Sequence, residues 1–221
     1  MRRHSGYCLW RSLPACCNQS MMHTEDAKHH LIPIWLLEGR MQEPRQASVA
    51  IPFYRDERAE LRLVLIKRSK HGQHGQHGQQ ISLPGGNREP NDQGPWATAL
   101  RESTEELGLH SEQIVFLAQL NQIDTRTTCY RVPPFVVQFK GITSGFFWMP
   151  QIAEVEEVVD VSVNVLASDA AAGEEELYFQ GWDTPKKVPV RRAHGHTIWG
   201  LTLRILEPVL PQALAGKWPI T

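Results

Sequence analysis

The sequence predicts an α+β layered sandwich. Two observations carry this: strand-like runs stand before and after a single central helix, and a second, amphipathic helix closes the chain. Composition agrees. With 221 residues, 41% of them hydrophobic, and a formal net charge of −1, the chain can bury one sizeable core and still carry appendages. Nothing in that balance calls for nucleic acid or a membrane as a partner, and no run of about 18 apolar residues is present to span a bilayer.

Residues 1 to 22, MRRHSGYCLWRSLPACCNQSMM, hold Arg and Ser and no acid, the composition of a targeting peptide, but lack a continuous apolar stretch of signal-peptide length. A disordered tail, or an upstream start with Met21 or Met22 as the working start, is the plainer reading. Residues 23 to 44 form a lead-in, so the chain divides into a tail over 1 to 44 and one domain over 45 to 221. Cys8, Cys16 and Cys17 crowd the tail and only Cys129 lies in the body. That is no disulfide framework; it fits a reducing compartment, and a cytoplasmic location is expected.

Within the domain, ASVAIPFY (47 to 54) and LRLVLIK (61 to 67) are strand-like runs joined by the charged turn RDERAE, a hairpin. ISL (81 to 83) is a short third strand that runs into Pro84, Gly85 and Gly86. A loop follows, then a helix opened by Pro95 and closed by Gly108 as its left-handed cap. Ala97, Leu100, Thr104 and Leu107 recur at steps of three and four and are expected to face the core, with Arg101, Glu102, Glu105 and Glu106 on the other side. Further strands are expected at 113 to 120, 135 to 141 and 156 to 163. HTIWGLTLRILEPVL (196 to 210) begins as a strand and becomes the closing helix. Loop insertions are expected near 68 to 80 and 167 to 186.

The central helix carries a puzzle. Glu102 and Glu106 are four residues apart, a like-charge pairing that costs a few tenths of a kcal/mol in an isolated helix. Arg101 can pair with Glu105, also at four, leaving Glu102 and Glu106 as a two-carboxylate edge. Hard divalent cations are held by one or two carboxylates together with waters and substrate phosphates. Two carboxylates beside a Gly-Gly segment, whose backbone can approach a ligand closely, suit a metal–diphosphate complex. A solvated acidic face is the ordinary alternative for glutamates on a helix.

Context decides between them. The run Arg101, Glu102, Glu105, Glu106, Gly108, Leu109, with Gly86 upstream, resembles the Nudix box, whose core reads Arg-Glu-U-x-Glu-Glu-x-Gly-U with U aliphatic. Three departures stand: the loop from Gly86 to Arg101 is one residue longer than the general pattern, its acid is Asp92 or Glu89 in place of the usual Glu, and Ser103 occupies an aliphatic position. The longer loop is similar to that of the coenzyme A pyrophosphatase branch of Nudix hydrolases. VLIKRS (64 to 69) and SLPGG (82 to 86) resemble the two ends of that branch's second signature. Between them KHGQHGQHGQQIS departs from it, with three copies of His-Gly-Gln and no internal Arg; an expanded surface loop is the reading preferred over a transition-metal site. His74, His77 or Lys70 would have to replace that Arg. The likeness continues through 120 to 139, 153 to 163 and 195 to 206, covering about residues 46 to 212.

The resemblance implies an α/β/α sandwich with a mixed sheet around a catalytic loop-helix. It implies Mg²⁺ or Mn²⁺ held by Glu102 and Glu106, with Glu105 as a further ligand or base or as the partner of Arg101. Gly85, Gly86 and Arg68 are the implied substrate contacts. Glu154 or Glu157 would add an acid from outside the box, unless each is a plain exposed strand acid; His196 and Trp199 read as packing residues. The implied reaction is metal-dependent hydrolysis of coenzyme A or acyl-coenzyme A to 4′-phosphopantetheine, or its acyl form, and adenosine 3′,5′-bisphosphate. Another nucleoside diphosphate derivative such as ADP-ribose or a dinucleoside polyphosphate, and a non-catalytic binding module on the same fold, are the alternatives. The implied partner is a small nucleotide substrate, with a homodimer allowed.

Overall fold

A computed structural model describes residues 43–70, 79–125, 128–178 and 183–221. Strand β1 (Arg45–Arg55) runs through the middle of a nine-stranded mixed sheet, and every residue from Ala50 to Tyr54 is buried, as expected of a strand covered on both faces. A turn over 56 to 60 returns the chain. Asp56 sets it, its Oδ1 accepting from the backbone N–H of Arg58 and of Glu60, both at 2.9 Å. Strand β2 (Leu61–Arg68) then pairs antiparallel with β1, Phe53 opposite Leu63, confirming the hairpin.

Beyond that pairing β1 and β2 diverge, and one short segment fills the gap. Strand β3 (Ile81–Ser82) bonds to the end of β2, whereas β4 (Gly85–Asn87) bonds to the beginning of β1. Between them the Ala50 N–H donates to the Pro84 carbonyl at 2.8 Å. Gly85 and Gly86 therefore lie at the split in the sheet. On its other edge β1 runs parallel to β8 (Pro134–Phe139), which pairs with β5 (Ile114–Gln119). Strand β9 (Val155–Ser162) lies along the far side of β2. The small strands β6 (Ile123–Asp124) and β7 (Tyr130–Val132) complete the sheet.

Side chains alternate between two cores. Ala50, Val64, Phe135 and Val137 pack with Ala99 and Leu107 of helix α1 (Pro95–Leu107). Ile51, Phe53, Leu63 and Leu65 pack with Leu203, Leu206 and Leu210 of helix α3 (Gly200–Leu214), joined by Val163 and Leu166 of the short helix α2 (Val163–Ala167). This is the α/β/α sandwich. A second sheet of β10 (Ala172–Leu177), β11 (Lys186–Ala193) and β12 (His196–Ile198) lies against the α3 side.

Two expectations change. Residues 172 to 177 form a strand where a loop is expected; β10 alternates exposed and half-buried residues and is tied to β11 by Glu174–Lys187 at 2.6 Å and Glu175–Arg192 at 2.7 Å, so its strand character rests on cross-strand ion pairs that hydrophobic patterning does not register. Cys129 is disulfide-bonded, which the placement of the cysteines does not anticipate. Most of the His-Gly-Gln repeat, residues 71 to 78, lies outside the described residues, as does the lead-in through residue 42.

Candidate active site

Helix α1 begins at Pro95 and ends on Gly108, which sits in the left-handed region at φ 67° with its N–H donating to the Thr104 carbonyl at 3.0 Å. The helix is turned differently from expectation. Its buried residues are Thr98, Ala99, Glu102, Ser103, Glu106 and Leu107, while Ala97, Leu100 and Thr104 are half-buried. Small residues at 99 and 103 let the helix approach the sheet closely. Ser103 is accommodated at an aliphatic position because its hydroxyl donates to the Ala99 carbonyl at 2.7 Å, one turn back in the same helix. The consequence is that Glu102 and Glu106 point inward, at the Gly-Gly segment.

Glu106 is wholly buried. Its Oε2 accepts the Gly85 N–H at 2.8 Å, and its Oε1 has no hydrogen-bond partner. Burial pushes this carboxyl up to about 8, against the opposing pull of the Arg68 charge and the Gly85 bond. Glu102 is also pushed upward by burial, with Arg101 opposing. Its carboxylate lies against Gly86 so closely that a Cβ there would stand 2.4 Å from Oε1. Glu154, in the turn just before β9, completes a trio: one carboxylate oxygen from each of Glu102, Glu106 and Glu154 lies within 4.8 Å of the others. Glu154 was legible in sequence as one of two candidate extra acids. Glu157, the other, instead lies 3.2 Å from His196 Nε2, outside the trio.

Glu105 also stands outside it. Its exposed carboxylate accepts from Arg101 at 3.0 Å. Arg101 is the hub of the loop: Nε and one terminal nitrogen fork onto Asp92, both at 3.1 Å, that nitrogen also reaches the Asn87 carbonyl at 2.9 Å and Glu102 at 3.0 Å, and the other holds Glu105. With its donors directed at protein atoms, Arg101 positions Glu102. Arg68 does the same for the Gly-Gly segment, donating to Ser82 Oγ at 3.0 Å and to the Gly85 carbonyl at 3.1 Å.

Sequence reasoning left Asp92 as one of two loop acids and gave it no place in the site. Buried and accepting from Arg101, the Glu89 N–H at 2.8 Å and the Thr98 hydroxyl at 2.9 Å, it is held down at about 2, first by Arg101. A depressed carboxyl contributes stability above its unfolded value near 3.8, and that contribution is lost as pH falls toward 2. Asp92→Asn is therefore expected to cost on the order of 2 kcal/mol at pH 7, with the difference from wild type shrinking below pH 4. Urea unfolding at pH 7 and pH 3 checks this; an equal cost at both would deny the charge its role.

The trio suits a divalent cation on chemical grounds. Three carboxylates supply hard oxygen ligands, and the unpartnered Glu106 Oε1, buried where a charge is costly, needs either a proton or a cation.

Comparison with known proteins accords with this geometry. Residues 44–186 match the NUDIX domain. The chain is 31% identical over 169 residues to Nudix hydrolase 22, chloroplastic, of Arabidopsis thaliana, covering 74% of this chain and 53% of that protein. It is 32% identical over 137 residues to the mitochondrial coenzyme A diphosphatase NUDT8 of Mus musculus, covering 62% of this chain and 64% of that one. The chain thus spans between about half and two thirds of the length of these curated relatives. In fold it is similar to a MutT/nudix family protein from Enterococcus faecalis, with a TM-score of 0.53 at 14% identity over 82% of this chain and 67% of that chain. Among the described residues no helix is long and apolar enough to cross a membrane.

Proposed function

The chain belongs to the Nudix hydrolase family, and from that premise we propose that it hydrolyses the diphosphate bond of coenzyme A or acyl-coenzyme A. Water adds across the P–O–P bridge, giving 4′-phosphopantetheine, or its acyl form, and adenosine 3′,5′-bisphosphate. The observation that carries the reading is Glu106, a buried carboxylate with one oxygen unpartnered, set beside Glu102 and Glu154. The substrate assignment draws on the flanking stretches 64 to 69 and 82 to 86 and on the relative named a coenzyme A diphosphatase.

Glu102, Glu106 and Glu154 would hold Mg²⁺ or Mn²⁺, which when bound neutralises diphosphate charge and acidifies water. The chain's own residues do the positioning. The Gly85 N–H fixes one Glu106 oxygen and so holds this carboxylate beside Glu102 and Glu154. Arg101, clamped by Asp92, holds Glu102, and Glu105 serves as the outer partner of Arg101. The absence of a side chain at Gly86 leaves the carboxylate of Glu102 its place. The catalytic unit is residues 45 to 221, with 1 to 44 a tail. A cytoplasmic location rests on composition alone, and the Cys129 disulfide speaks against the reducing compartment behind it; the relatives' names place those proteins in chloroplast and mitochondrion.

A second reading, hydrolysis of ADP-ribose or a dinucleoside polyphosphate, is favoured by the His-Gly-Gln interruption of the coenzyme A signature. Product mass spectrometry after incubation with Mg²⁺ or Mn²⁺ and coenzyme A, ADP-ribose, NADH and diadenosine polyphosphates separates them. Adenosine 3′,5′-bisphosphate released from coenzyme A is the expected result. Cleavage of another substrate alone would move the assignment, and no cleavage with either metal would leave a binding module.

A further inference from the structure

Two arginines close to the trio keep donors that no described residue takes, and the register of the sheet puts both on the trio's face. Gly86 turns its open side to the Glu102 carboxylate. Ser48 stands opposite Gly86 in the pairing of β1 with β4 and shares that face. Gln46, two residues back and about 7 Å along β1, shares it again, because side chains alternate. On one side of Gln46 stands Arg131 of β7. On the other, the Arg88 N–H donates to the Gln46 carbonyl at 2.9 Å, carrying the pairing one residue past Asn87. Arg88 and Arg131 therefore flank Gln46 on the face that holds Glu102, two strand spacings or about 10 Å apart, a gap that two arginine side chains can close. Their guanidiniums are not engaged as those of Arg101 and Arg68 are. Arg88 is exposed and, among the described residues, makes one side-chain hydrogen bond, to the Asp92 carbonyl at 3.3 Å. Arg131 makes none there: its buried Nε has no hydrogen-bond partner, and the Asp124 carboxylate on β6 stands 3.7 Å away. The Gln46 amide between them donates to the Pro44 carbonyl at 3.2 Å. Two guanidiniums with one carboxylate beside them leave a surplus of positive charge, and the anion that best matches the arginine fork is a phosphate.

We propose that Arg88 and Arg131 form a phosphate subsite separate from the carboxylate trio, which takes a phosphate monoester on the ribose of the substrate and makes the chain favour ribose-phosphorylated substrates over otherwise identical ones. The proposal rests on the function inferred above and names the part of the substrate that the chain reads. Placement identifies the occupant. The diphosphate belongs at the trio, and the subsite lies about 7 Å along β1 from the pair of Ser48 and Gly86. A phosphate on the ribose is separated from the diphosphate by a single sugar ring, so both can be met on one sheet face. Such a monoester is dianionic at neutral pH and meets two cations, whereas a free ribose hydroxyl offers them no charge. Asp124 is the internal competitor, since it already attracts Arg131. Arg88 and Arg131 bind and take no part in the bond cleavage.

Coenzyme A should be cleaved with a kcat/KM at least about tenfold above that of 3′-dephospho-coenzyme A, the difference lying in KM. Arg131→Gln and Arg88→Gln should each bring that ratio toward one. Asp124→Asn, which frees Arg131, should raise it, a gain that damage to the fold cannot imitate. Titration calorimetry in EDTA, with adenosine 3′,5′-bisphosphate and AMP as the probes, gives a readout independent of turnover: the bisphosphate should bind at least about tenfold tighter, and Arg131→Gln should remove the difference. Preference within the coenzyme A pair assigns a 3′-phosphate and preference for NADPH over NADH a 2′-phosphate; either supports the subsite. If coenzyme A and its dephospho form are cleaved alike and the bisphosphate binds like AMP, the subsite fails and the function stands. If the bisphosphate binds at least about tenfold tighter through Arg131 but no diphosphate is cleaved with either metal, the subsite stands and the diphosphatase reading fails. Variants that weaken both members of each pair equally would reduce the two arginines to a general attraction for anions and overturn the proposal.

Discussion

Glu106→Gln is expected to lower kcat/KM by at least about a thousandfold and to abolish the rise in melting temperature that Mg²⁺ or Mn²⁺ gives the wild type. The substitution keeps the size of the side chain and an oxygen to accept the Gly85 N–H, and removes only the charge. Its effect on stability has the opposite sign in the absence of metal. A carboxyl raised to about 8 from an ordinary 4.5 binds more protons folded than unfolded between those values, so metal-free wild type loses stability as pH rises through that interval. The neutral variant lacks this loss. At pH 8.5 without metal it should melt above the wild type, and at pH 6 the gap should narrow. Metal must displace the proton, so the wild-type gain on adding Mn²⁺ should be larger at pH 8.5 than at pH 6. Thermal melts at the two pH values, with EDTA and with Mn²⁺, check all three. A variant that still gains with metal would place the cation elsewhere.

Much of this was legible because its causes are local. Pro95 and Gly108 bracket the central helix in the sequence as they do in the structure, since a fixed φ and a left-handed cap are properties of single residues. The hairpin of β1 and β2 followed from two apolar runs and a charged turn. What the sequence hid are features set by packing between distant segments. The buried face of α1 differs from the one its apolar periodicity marks, because Glu102 and Glu106 are drawn to a Gly-Gly segment some twenty residues upstream, and periodicity scores a buried carboxylate as surface. Glu154 belongs with them only because β9 pairs with the end of β2, a contact spanning more than eighty residues. Asp92 is named in the sequence as one of two loop acids, but its role is not legible there: an acid in a loop is ordinary until Arg101 is seen to close on it.

The sharpest test of that packing is Gly86→Ala, expected to cost about a hundredfold in kcat/KM while leaving the fold intact. The three nearest atoms to a Cβ at this position are Glu102 Oε1 at 2.4 Å, Cδ at 2.6 Å and Oε2 at 2.8 Å, all from one carboxylate. All three are side-chain atoms, so the far end of Glu102 must yield. Gly85 makes the contrast: a Cβ there meets the Ser48 carbonyl oxygen at 2.2 Å and the Val49 Cα at 2.6 Å, and its φ of +149° suits glycine, so substitution there would damage β1 itself. At Gly86 the displaced carboxylate also strains against Arg101, which Asp92 holds in a two-bond fork. A shift of about 1 Å in a catalytic group is enough for a hundredfold loss. Because Glu102 would bind the cation, the Mg²⁺ concentration giving half-maximal rate should rise along with the loss of rate, with the melting temperature of the metal-free protein changed by only a few degrees. A loss of rate without any change in metal dependence would separate Glu102 from the cation and leave Glu106 and Glu154 to hold it.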